Sequence, residues 1–301
     1  MIERILPVMM KKVALQTNFN IYEKANCAVS VIDHLQKLGC EIYVAVQNRE
    51  RVQRLVRNRR GLRFVPYSAL CRGVDLLVVL GGDGSILEGS RLASPEGVPV
   101  VGVNLGRLGY MAEIEMDELN LLDGIIRGNY QVDERSMLKV EILRGGSKEP
   151  AAVAYALNDA VITNGSVARL VDLELYEGGT VLSTYRADGL IFATPTGSTA
   201  YSMSAGGPII DPRQRCICVT PICSHSLTAR PLIFPDDAVL VAKNICEREK
   251  MLYLTVDGKA NFELRRGDCV RVVRAERTTK LIRVKERSFY MTLRQKLSGG
   301  N

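Results

Sequence analysis

The sequence predicts a two-domain protein with an α/β N-terminal part built on an open sheet and a β-rich C-terminal part. Three observations support this fold class. Strands alternate with helices up to about residue 127. From Gln131 onward helix signals nearly vanish and short alternating strands take over. Finally, 301 residues with 47% hydrophobic and 24% charged side chains are enough for two globular domains.

The N-terminal elements follow from their periodicity. Ala28, Val29, Ile32 and Leu35 recur at helical spacing, and Gly39 can end that helix. The apolar run Leu76 to Leu80 is typical of a strand buried on both faces. The other elements expected here are strands at Val13 to Gln16, Ile42 to Val46 and Val98 to Val103, and helices at Ile86 to Ala93 and Asp117 to Arg127.

The C-terminal part is predicted as a series of strands, with Glu177-Gly178-Gly179-Thr180 forming a hairpin between two of them. The strands are Leu138 to Leu143, Val171 to Tyr176, Val181 to Tyr185, Ala238 to Ala242, Leu252 to Val256 and Cys269 to Val273. A final helix, Ser288 to Leu297, is expected to return to the first domain. We therefore expect domains at 1–130, joined by 286–301, and at 131–285.

Composition excludes several classes of protein. No apolar stretch approaches 18 residues and Met1 to Met9 lacks the apolar segment of a signal peptide, so we expect a cytoplasmic protein. Met1 to Met9 is expected to be dispensable, because it precedes the first strand. Eight cysteines scattered through predicted strands and helices indicate reduced thiols.

The net charge of +7 raises the question of a nucleic-acid partner. Seven arginines crowd one segment, from Arg49 to Arg63, but Val52, Leu55 and Val56 lie at helical spacing among them. The arginines are therefore interpreted as the solvated side of a surface helix rather than a binding patch. Neither nucleic acid nor a membrane is an expected partner, and a modest basic excess suits ligands that carry several phosphates.

The segment after Leu80 is the first candidate site. Gly81, Gly82 and Gly84 leave backbone N–H groups open to an anion, and the helix that follows adds partial positive charge. Asp83 would repel a phosphate unless it handles a proton or a metal ion, which indicates phosphoryl transfer. Gly-Asp-Gly is equally ordinary turn chemistry, so both interpretations stay open for these residues alone.

A second polar block runs from Tyr185 to Pro208. Six Ser and Thr residues lie within Thr194 to Ser204, a composition that favours donor-rich loops and helix caps. Such clusters are usually turns, but Asp188 precedes Gly189 and a strand, and Tyr201 offers an aromatic face to a base. Neither a G-x-x-x-x-G-K-[ST] loop nor a G-x-G-x-x-G motif after a strand is present.

Four motifs in this order resemble those of the NAD kinase family. They are Gly81-Gly-Asp-Gly-Ser, Gly102-Val-Asn-Leu-Gly-Arg-Leu-Gly109, Asn158-Asp159, and the block Arg186 to Pro208 with its Thr-Pro-Thr-Gly-Ser-Thr-Ala-Tyr-Ser core. The first is shared with lipid kinases and phosphofructokinases, whereas the last is highly specific. The resemblance spans nearly the whole chain and implies an α/β domain, a β-sandwich-like domain and an active site between them.

The resemblance also implies roles for residues. Asp83 would be the catalytic base for the 2′-hydroxyl of the adenosine ribose of NAD, with ATP as phosphoryl donor. The ATP phosphates would contact Gly81, Gly82, Gly84 and Ser85. The NAD-binding residues would be Asp83, Gly84, Leu87, Tyr110, Asn158, Asp159, Arg169, Arg186, Asp188, Thr199, Ala200, Tyr201, Ser202, Met203, Ser204 and Lys259.

Three positions depart from the family pattern. Ser85 stands where Thr is commoner and Asp159 where Glu is commoner, and both conserve the chemistry. Lys259, after Asp257-Gly258, stands where some members carry Gln; it places a cation near the site, so the family's nicotinamide-side contacts do not carry over to this position.

The resemblance further implies a divalent cation, Mg²⁺ or Mn²⁺, held mainly through the ATP phosphates, with no protein metal ligands. It implies a homodimer or homotetramer. Two rival functions remain: a lipid or sphingoid-base kinase, for which an apolar acceptor channel would be expected, and a non-catalytic NADP sensor, against which the presence of Asp83 argues.

Two other features have structural interpretations. Cys216-x-Cys218-x₄-Cys223-x-His225 lacks the Cys-x₂-Cys spacing of zinc sites, and its first residues are predicted as a core strand. His225 is interpreted as packed or hydrogen-bonded. His34 is interpreted as solvated on the polar side of the first helix, so neither histidine is the candidate base.

Overall fold

The computed structural model describes residues 9–106, 109–165, 170–226, 228–247, 251–286 and 288–298. The chain divides into two compact units. Unit 1 comprises Met1–Glu134 and Thr279–Asn301, and unit 2 comprises Arg135–Thr278. The described part of the chain holds no helix that is both long and apolar enough to cross a membrane.

Unit 1 begins with alternating strands and helices. Before the chain enters unit 2, its helices and strands are β1 (Lys12–Gln16), α1 (Tyr22–Lys37), β2 (Glu41–Ala45), α2 (Arg49–Leu55), β3 (Leu62–Val65), β4 (Leu76–Leu80), α3 (Asp83–Ala93), β5 (Val100–Asn104), β6 (Ile114–Glu115), α4 (Leu121–Ile126) and β7 (Gln131–Arg135).

Unit 2 is almost entirely strands. It contains β8 (Leu138–Leu143), β9 (Ala152–Ala156), β10 (Asp159–Asn164), β11 (Val171–Glu177), β12 (Thr180–Ala187), β13 (Gly189–Ala193), α5 (Tyr201–Ser204), β14 (Cys216–Ile222), β15 (Leu232–Pro235), β16 (Leu240–Asn244), β17 (Leu252–Val256), β18 (Ala260–Leu264) and β19 (Cys269–Arg274). The chain then returns to unit 1 as β20 (Thr279–Arg283) and α6 (Phe289–Ser298).

The unit 1 sheet is parallel through its centre. Its order is β3-β2-β1-β4-β5-β20-β7, with β6 beside β5, and the pairs from β3 to β20 run parallel. Every residue of β4 and β5 is buried, as expected for strands covered on both faces. Because the carboxyl ends of parallel strands meet at one edge of a sheet, the segments after β4 and β5 lie side by side.

Unit 2 is a sandwich of two antiparallel six-stranded sheets, ordered β15-β14-β13-β10-β17-β18 and β12-β11-β16-β19-β8-β9. One apolar core joins them: Ile162, Phe192 and Leu254 from the first sheet pack with Leu173 and Val140 from the second. The predicted fold class, an open α/β domain followed by a β-sandwich-like domain, is confirmed.

Several predicted elements differ in extent from the observed ones, among them the helix over 86–93, which begins three residues earlier at Asp83, and the following three. The helix expected from Asp117 is a 3₁₀ turn and then α4, since a Glu115–Glu118 capping box closes a separate first turn. The strand expected from Ala238 begins at Leu240, because the Ala238 N–H bonds back to the Pro235 carbonyl in a turn. The strand expected over 98–103 runs from Val100 to Asn104.

The arginine-rich segment is helical only in its first half. Helix α2 carries Arg49, Arg51 and Arg54 and ends at Leu55. The later arginines follow the helix, where Asn58 caps a turn through its side-chain oxygen and Gly61 adopts a φ of +75°. Interpreting all seven arginines as one helix face was therefore wrong.

Candidate active site

The glycine turn connects β4 to α3. Gly81 has a φ of +147°, and a Cβ there would lie 2.3 Å from the Ser85 hydroxyl oxygen, so only glycine fits. Apart from chain neighbours and the backbone of its own helix, a Cβ on Gly82 or Gly84 would meet no atom of the described residues within 4 Å. These two glycines therefore border open space at the first turn of α3, a position that favours an anion. Two neighbouring backbone donors are already in use: the Gly81 N–H donates to the Val103 carbonyl at 2.9 Å and the Ser85 N–H to the Gly82 carbonyl at 2.9 Å, so the expected opening of the Gly81 N–H to an anion was wrong.

Asp83 is the first residue of α3, and backbone donors fix both of its carboxylate oxygens. Its Oδ2 accepts the Tyr110 N–H at 3.0 Å, and its Oδ1 accepts the Met111 N–H at 3.1 Å. A Cβ on Gly109 would lie 2.3 Å from Oδ1, so a glycine is required for this close approach. Each oxygen keeps a lone pair for a further partner.

A cavity of about 350 Å³ opens beside this carboxylate within unit 1. It is lined by Lys24, Gly81, Gly82, Asp83, Asn104, Leu105, Gly106 and Gly109. Asn104 shapes one wall: its Nδ2 donates to the Gly106 carbonyl at 3.1 Å and its Oδ1 accepts the Gly106 N–H at 3.2 Å. The cavity thus combines open glycine backbone, one lysine and one carboxylate, as phosphate handling requires.

The segment that orients Asp83 is itself held by the returning strand β20. Arg283 donates to the carbonyls of Met111 at 3.2 Å and Tyr110 at 3.4 Å. It also pairs at 3.1 Å with the buried Glu113, whose other oxygen accepts the Val284 N–H at 2.8 Å. These contacts fix residues 110–113, and through them the Asp83 carboxylate.

Helix α6 brings aromatic and cationic side chains to the same place. The Lys296 ammonium lies 3.6 Å from Asp83 Oδ2 and 3.9 Å from the centre of the Tyr110 ring. Phe289 packs at a tilt against Tyr110, with ring centres 6.1 Å apart. Burial, and then the charge of Asp83, raises the pKa of Tyr110.

In unit 2, Asn158 and Asp159 are anchored by Asp257. The Asp257 carboxylate accepts the backbone N–H groups of Leu157 at 2.8 Å, Asn158 at 2.8 Å and Asp159 at 3.1 Å. Asp257 has a φ of +47°, a rare conformation for a residue with a side chain. Asn158 precedes β10 and Asp159 opens it.

The two carboxylates of this anchor differ in their surroundings. Burial, and then the nearby charge of Asp257, raises the pKa of Asp159 to about 7. Burial also raises the pKa of Asp257, but its three backbone hydrogen bonds act in the opposite direction. The negative charge of Asp257 is therefore stabilised by hydrogen bonds, whereas Asp159 changes charge near neutral pH. The Asn158 side-chain oxygen is buried and has no hydrogen-bond partner among the described residues, which leaves an acceptor for a ligand.

The Ser- and Thr-rich block packs directly against this anchor. Thr194 donates to the Leu157 carbonyl at 2.6 Å, and a Cβ on Gly197 would lie 2.1 Å from the Asn158 carbonyl oxygen. Ser202 shares a hydrogen bond with Thr220 at 2.9 Å. Much of the block therefore serves the fold, as Ser and Thr turns commonly do.

The predicted site residues divide between the two units of the fold. Unit 1 gathers Gly81, Gly82, Asp83, Gly84, Ser85, Leu87 and Tyr110, and unit 2 holds Asn158, Asp159, Arg186, Asp188, Thr199, Ala200, Tyr201, Ser202, Met203, Ser204 and Lys259. Arg169 lies outside the described residues, as do residues 1–8. Asp188 is exposed, and so is the Tyr201 ring at 45%. Lys259 follows Asp257 in the turn between β17 and β18.

Sequence reasoning misplaced both histidines. His34 is not simply solvated, because its Nε2 lies 2.7 Å from Asp123 Oδ1 on α4's first turn. His225 is exposed rather than packed, and its hydrogen bond is made by its backbone N–H, which donates to the Arg186 carbonyl at 2.9 Å. Cys216 and Cys218 lie in β14, as the strand prediction required, and burial raises the pKa of both thiols.

The sequence analysis missed four residues of these sites. Each of them contacts residues that are far away in the chain, so the neighbouring sequence does not indicate its role. They are Lys296, Arg283, Glu113 and Asp257. The one local sign was the Asp257-Gly258 turn beside Lys259.

Two family models match the chain. The ATP-NAD kinase N-terminal domain matches residues 13–130, and the ATP-NAD kinase C-terminal domain matches residues 157–284. The NAD kinase of Geotalea daltonii is 45% identical over 227 residues, which are 75% of this chain and 79% of that protein. The NAD kinase of Citrifermentans bemidjiense is 37% identical over 292 residues, 97% of this chain and 99% of that protein.

Solved structures show the same architecture. Yeast NADH kinase, crystallised with NADH, superposes with a TM-score of 0.89 at 27% identity over 98% of this chain and 89% of that one. An NAD kinase from Archaeoglobus fulgidus in complex with ATP gives a TM-score of 0.70 over 97% of this chain and 99% of that one, and at 21% identity it supports the fold alone. The two family models match the chain in order, the first over the glycine turn and the second over Asn158 and Asp159. Together with the relatives named above, they show that the chain belongs to the NAD kinase family.

Proposed function

We propose that this chain transfers the γ-phosphoryl group of ATP to the 2′-hydroxyl of the adenosine ribose of NAD, giving NADP. The observation that carries the proposal is Asp83, a carboxylate fixed by two backbone N–H groups at the wall of a glycine-lined cavity. Family membership and relatives named NAD kinase support the same reaction.

In this mechanism the backbone N–H groups of Gly82, Asp83 and Gly84 bind the ATP phosphates, because those of Gly81 and Ser85 donate to protein carbonyls. Asp83 uses a free lone pair to accept the proton of the 2′-hydroxyl as the ribose oxygen attacks the γ-phosphorus. The bond to the ADP leaving oxygen breaks as the new bond forms. Because the transition state is loose, the protein contributes mainly position and charge, and the base itself contributes about 10²–10⁴-fold.

We assign NAD recognition to the unit 2 set. Asn158 offers a buried acceptor, and an ionised Asp159 accepts hydrogen bonds from ribose hydroxyls. Asp257 supports the role by holding the backbone of both residues. The exposed Asp188 and Tyr201 complete the set as a further acceptor and a stacking surface.

The residues present fit a divalent cation that is held through phosphates. Among the described residues, no group of three or more His, Cys, Asp or Glu side chains is placed to hold a metal ion. Mg²⁺ commonly keeps several waters and is held by substrate phosphates, so the phosphates that enter the glycine-lined cavity would bring the ion with them, as the family resemblance implies. When bound, such an ion neutralises phosphate charge.

We also propose, from its family, that the protein is cytoplasmic and forms a homodimer or homotetramer.

The test is an assay of the purified protein with ATP, Mg²⁺ and NAD, in which NADP is measured by a specific dehydrogenase. NADP formation that depends on all three components supports the proposal. Phosphorylation of dispersed diacylglycerol without NADP formation would instead establish the lipid kinase alternative. Binding of NADP without turnover would establish a sensor. Repeating the assay with NADH and with polyphosphate defines the acceptor and donor ranges.

A further inference from the structure

Helix α6 contributes a charged side chain that the mechanism above does not use. Lys296 forms an ion pair with Asp83 at 3.6 Å, and its ammonium lies over the Tyr110 ring at 3.9 Å. The Lys296 and Asp83 side chains are only 27% and 28% exposed. Their attraction is therefore less screened by water than that of a surface pair.

The position of this lysine is supported from several sides. Phe289, at the start of α6, packs against Tyr110. Just before the helix, Lys285 pairs with Glu118, and Glu113 accepts the Lys285 N–H at 2.7 Å. The chain therefore contacts the segment that orients Asp83 at two points, through Lys285 just before α6 and through Phe289 at its start.

The electrostatics of the cavity explain why a cation is useful here. ATP brings several negative charges to a glycine turn whose centre is already a carboxylate, and like charges this close repel strongly. Part of that repulsion is offset by a cation on the carboxylate. An ammonium contact also restrains the carboxylate in the orientation in which its remaining lone pair is available to a hydroxyl proton.

We propose that Lys296 is a positioning residue for phosphoryl transfer, which acts through Asp83 by fixing its carboxylate and offsetting its charge. The inference rests on the proposed function. Helix α6 would then take part in phosphoryl transfer at Asp83, although none of its residues lines the cavity.

The test compares four proteins: the parent, Lys296→Met, Lys296→Arg and Arg294→Met. Methionine keeps the aliphatic stem over Tyr110 but removes the charge. Arg294 is exposed on the same helix, so its replacement is a matched control for the loss of one positive charge. We expect Lys296→Met to lower kcat about tenfold or more, Lys296→Arg to recover most of that loss, and Arg294→Met to match the parent. The KM for NAD should stay within about twofold throughout.

The same substitution in an Asp83→Asn background decides how the lysine acts. If Lys296 acts through the carboxylate, Lys296→Met should change neither the residual rate nor the ATP affinity of Asp83→Asn, measured by calorimetry. A full additive loss in that background would overturn the proposal and show direct contact with a substrate. Equal rates for Lys296→Met and Arg294→Met would also overturn it.

Melting curves and parent activity keep the outcomes separate. A Lys296→Met protein that melts several degrees below Arg294→Met and is not rescued by arginine would assign the residue a purely structural role. Absence of NADP formation by the parent would contradict the proposed function itself. A parent that is active and an Asp83→Asn that is impaired, with no effect of Lys296→Met, would reject this inference alone.

Discussion

At the scale of single residues, Asp83 is a carboxylate placed where a polyanion should bind. Its two backbone hydrogen bonds and its lysine partner keep it in place, and Gly109 leaves room for it. An orienting role for these contacts predicts that the carboxylate matters for rate and much less for affinity.

Replacing Asp83 with Asn should therefore leave NAD affinity within a few-fold while kcat falls at least about a hundredfold. The amide keeps the size of the side chain but accepts a proton poorly. Steady-state kinetics give kcat, and titration calorimetry gives the NAD affinity. A near-normal kcat would remove Asp83 from the role of base.

The carboxylate pair in unit 2 predicts a dependence of stability on pH. The pKa of Asp159 rises from its ordinary 3.8 to about 7 on folding, so the folded chain holds this proton more tightly than the unfolded chain. Its contribution to stability is complete below about pH 4 and is lost as pH rises through about 7, with an upper bound of about 4 kcal/mol.

The Asp159→Asn variant removes that titration. We expect urea unfolding to show a shallower loss of stability between pH 4 and pH 8 for Asp159→Asn than for the parent. The variant should therefore gain stability relative to the parent as pH rises. An exposed carboxylate variant, Glu149→Gln, is the control. Parallel pH profiles for Asp159→Asn and the parent would contradict the assignment.

At the scale of elements, the turn between β4 and α3 contains one glycine that the fold requires and others that border open space. A Cβ on Gly81 would collide with Ser85, whereas one on Gly84 would meet no protein atom within 4 Å. We therefore expect a methyl group at Gly84 to affect mainly the binding of a ligand there, apart from its effect on helix propensity.

We expect Gly84→Ala to raise the KM for ATP by at least about tenfold while its melting temperature is unchanged or higher, because alanine favours a helix by about 1 kcal/mol over glycine. Gly124→Ala, inside α4 with no atom closer than 3.7 Å, is the control for a helical methyl group. Gly81→Ala should lower the melting temperature. An unchanged KM for ATP in Gly84→Ala would mean that phosphates bind elsewhere.

The sequence predicted elements best where one local pattern decided them. The strands β4, β8 and β17 were predicted with the observed ends. Each is marked in the sequence by a short run of apolar or alternating apolar residues, so neighbouring positions alone identify it. The helix over 49–63 was predicted too long, since Asn58 and Gly61 favour a turn that the apolar spacing hides. Family motifs supplied the candidate site residues. Lys296, which contacts a residue 213 positions earlier, has no local pattern.

At the scale of the whole molecule, unit 1 is discontinuous in sequence. Strand β20 lies inside its sheet, between β5 and β7, and buries Leu281 and Ile282 almost completely. Burying two such side chains contributes about 3–6 kcal/mol, a large part of the stability of an ordinary domain. The returning segment also supplies Arg283 to the turn that orients Asp83.

Two truncations should therefore differ sharply. A chain that stops after residue 286 keeps β20 and Arg283, so it should fold and bind NAD but lose at least about tenfold in kcat through Lys296. A chain that stops after residue 278 lacks a strand of the sheet and should fail to accumulate as soluble protein. Circular dichroism, melting curves and kinetics on both chains make the comparison. A soluble and active 1–278 chain would contradict the role of β20.

The return of β20 also bears on the order of events during synthesis. Residues 1–134 emerge first, yet their sheet stays incomplete until residues 279–283 have been made. At roughly 5–20 residues per second, the ribosome takes on the order of 10–30 s to translate unit 2 in between. Unit 2 is continuous and can fold during that interval. A nascent chain thus carries an exposed, unfinished parallel sheet for many seconds, which is the form of the molecule that chaperones should bind.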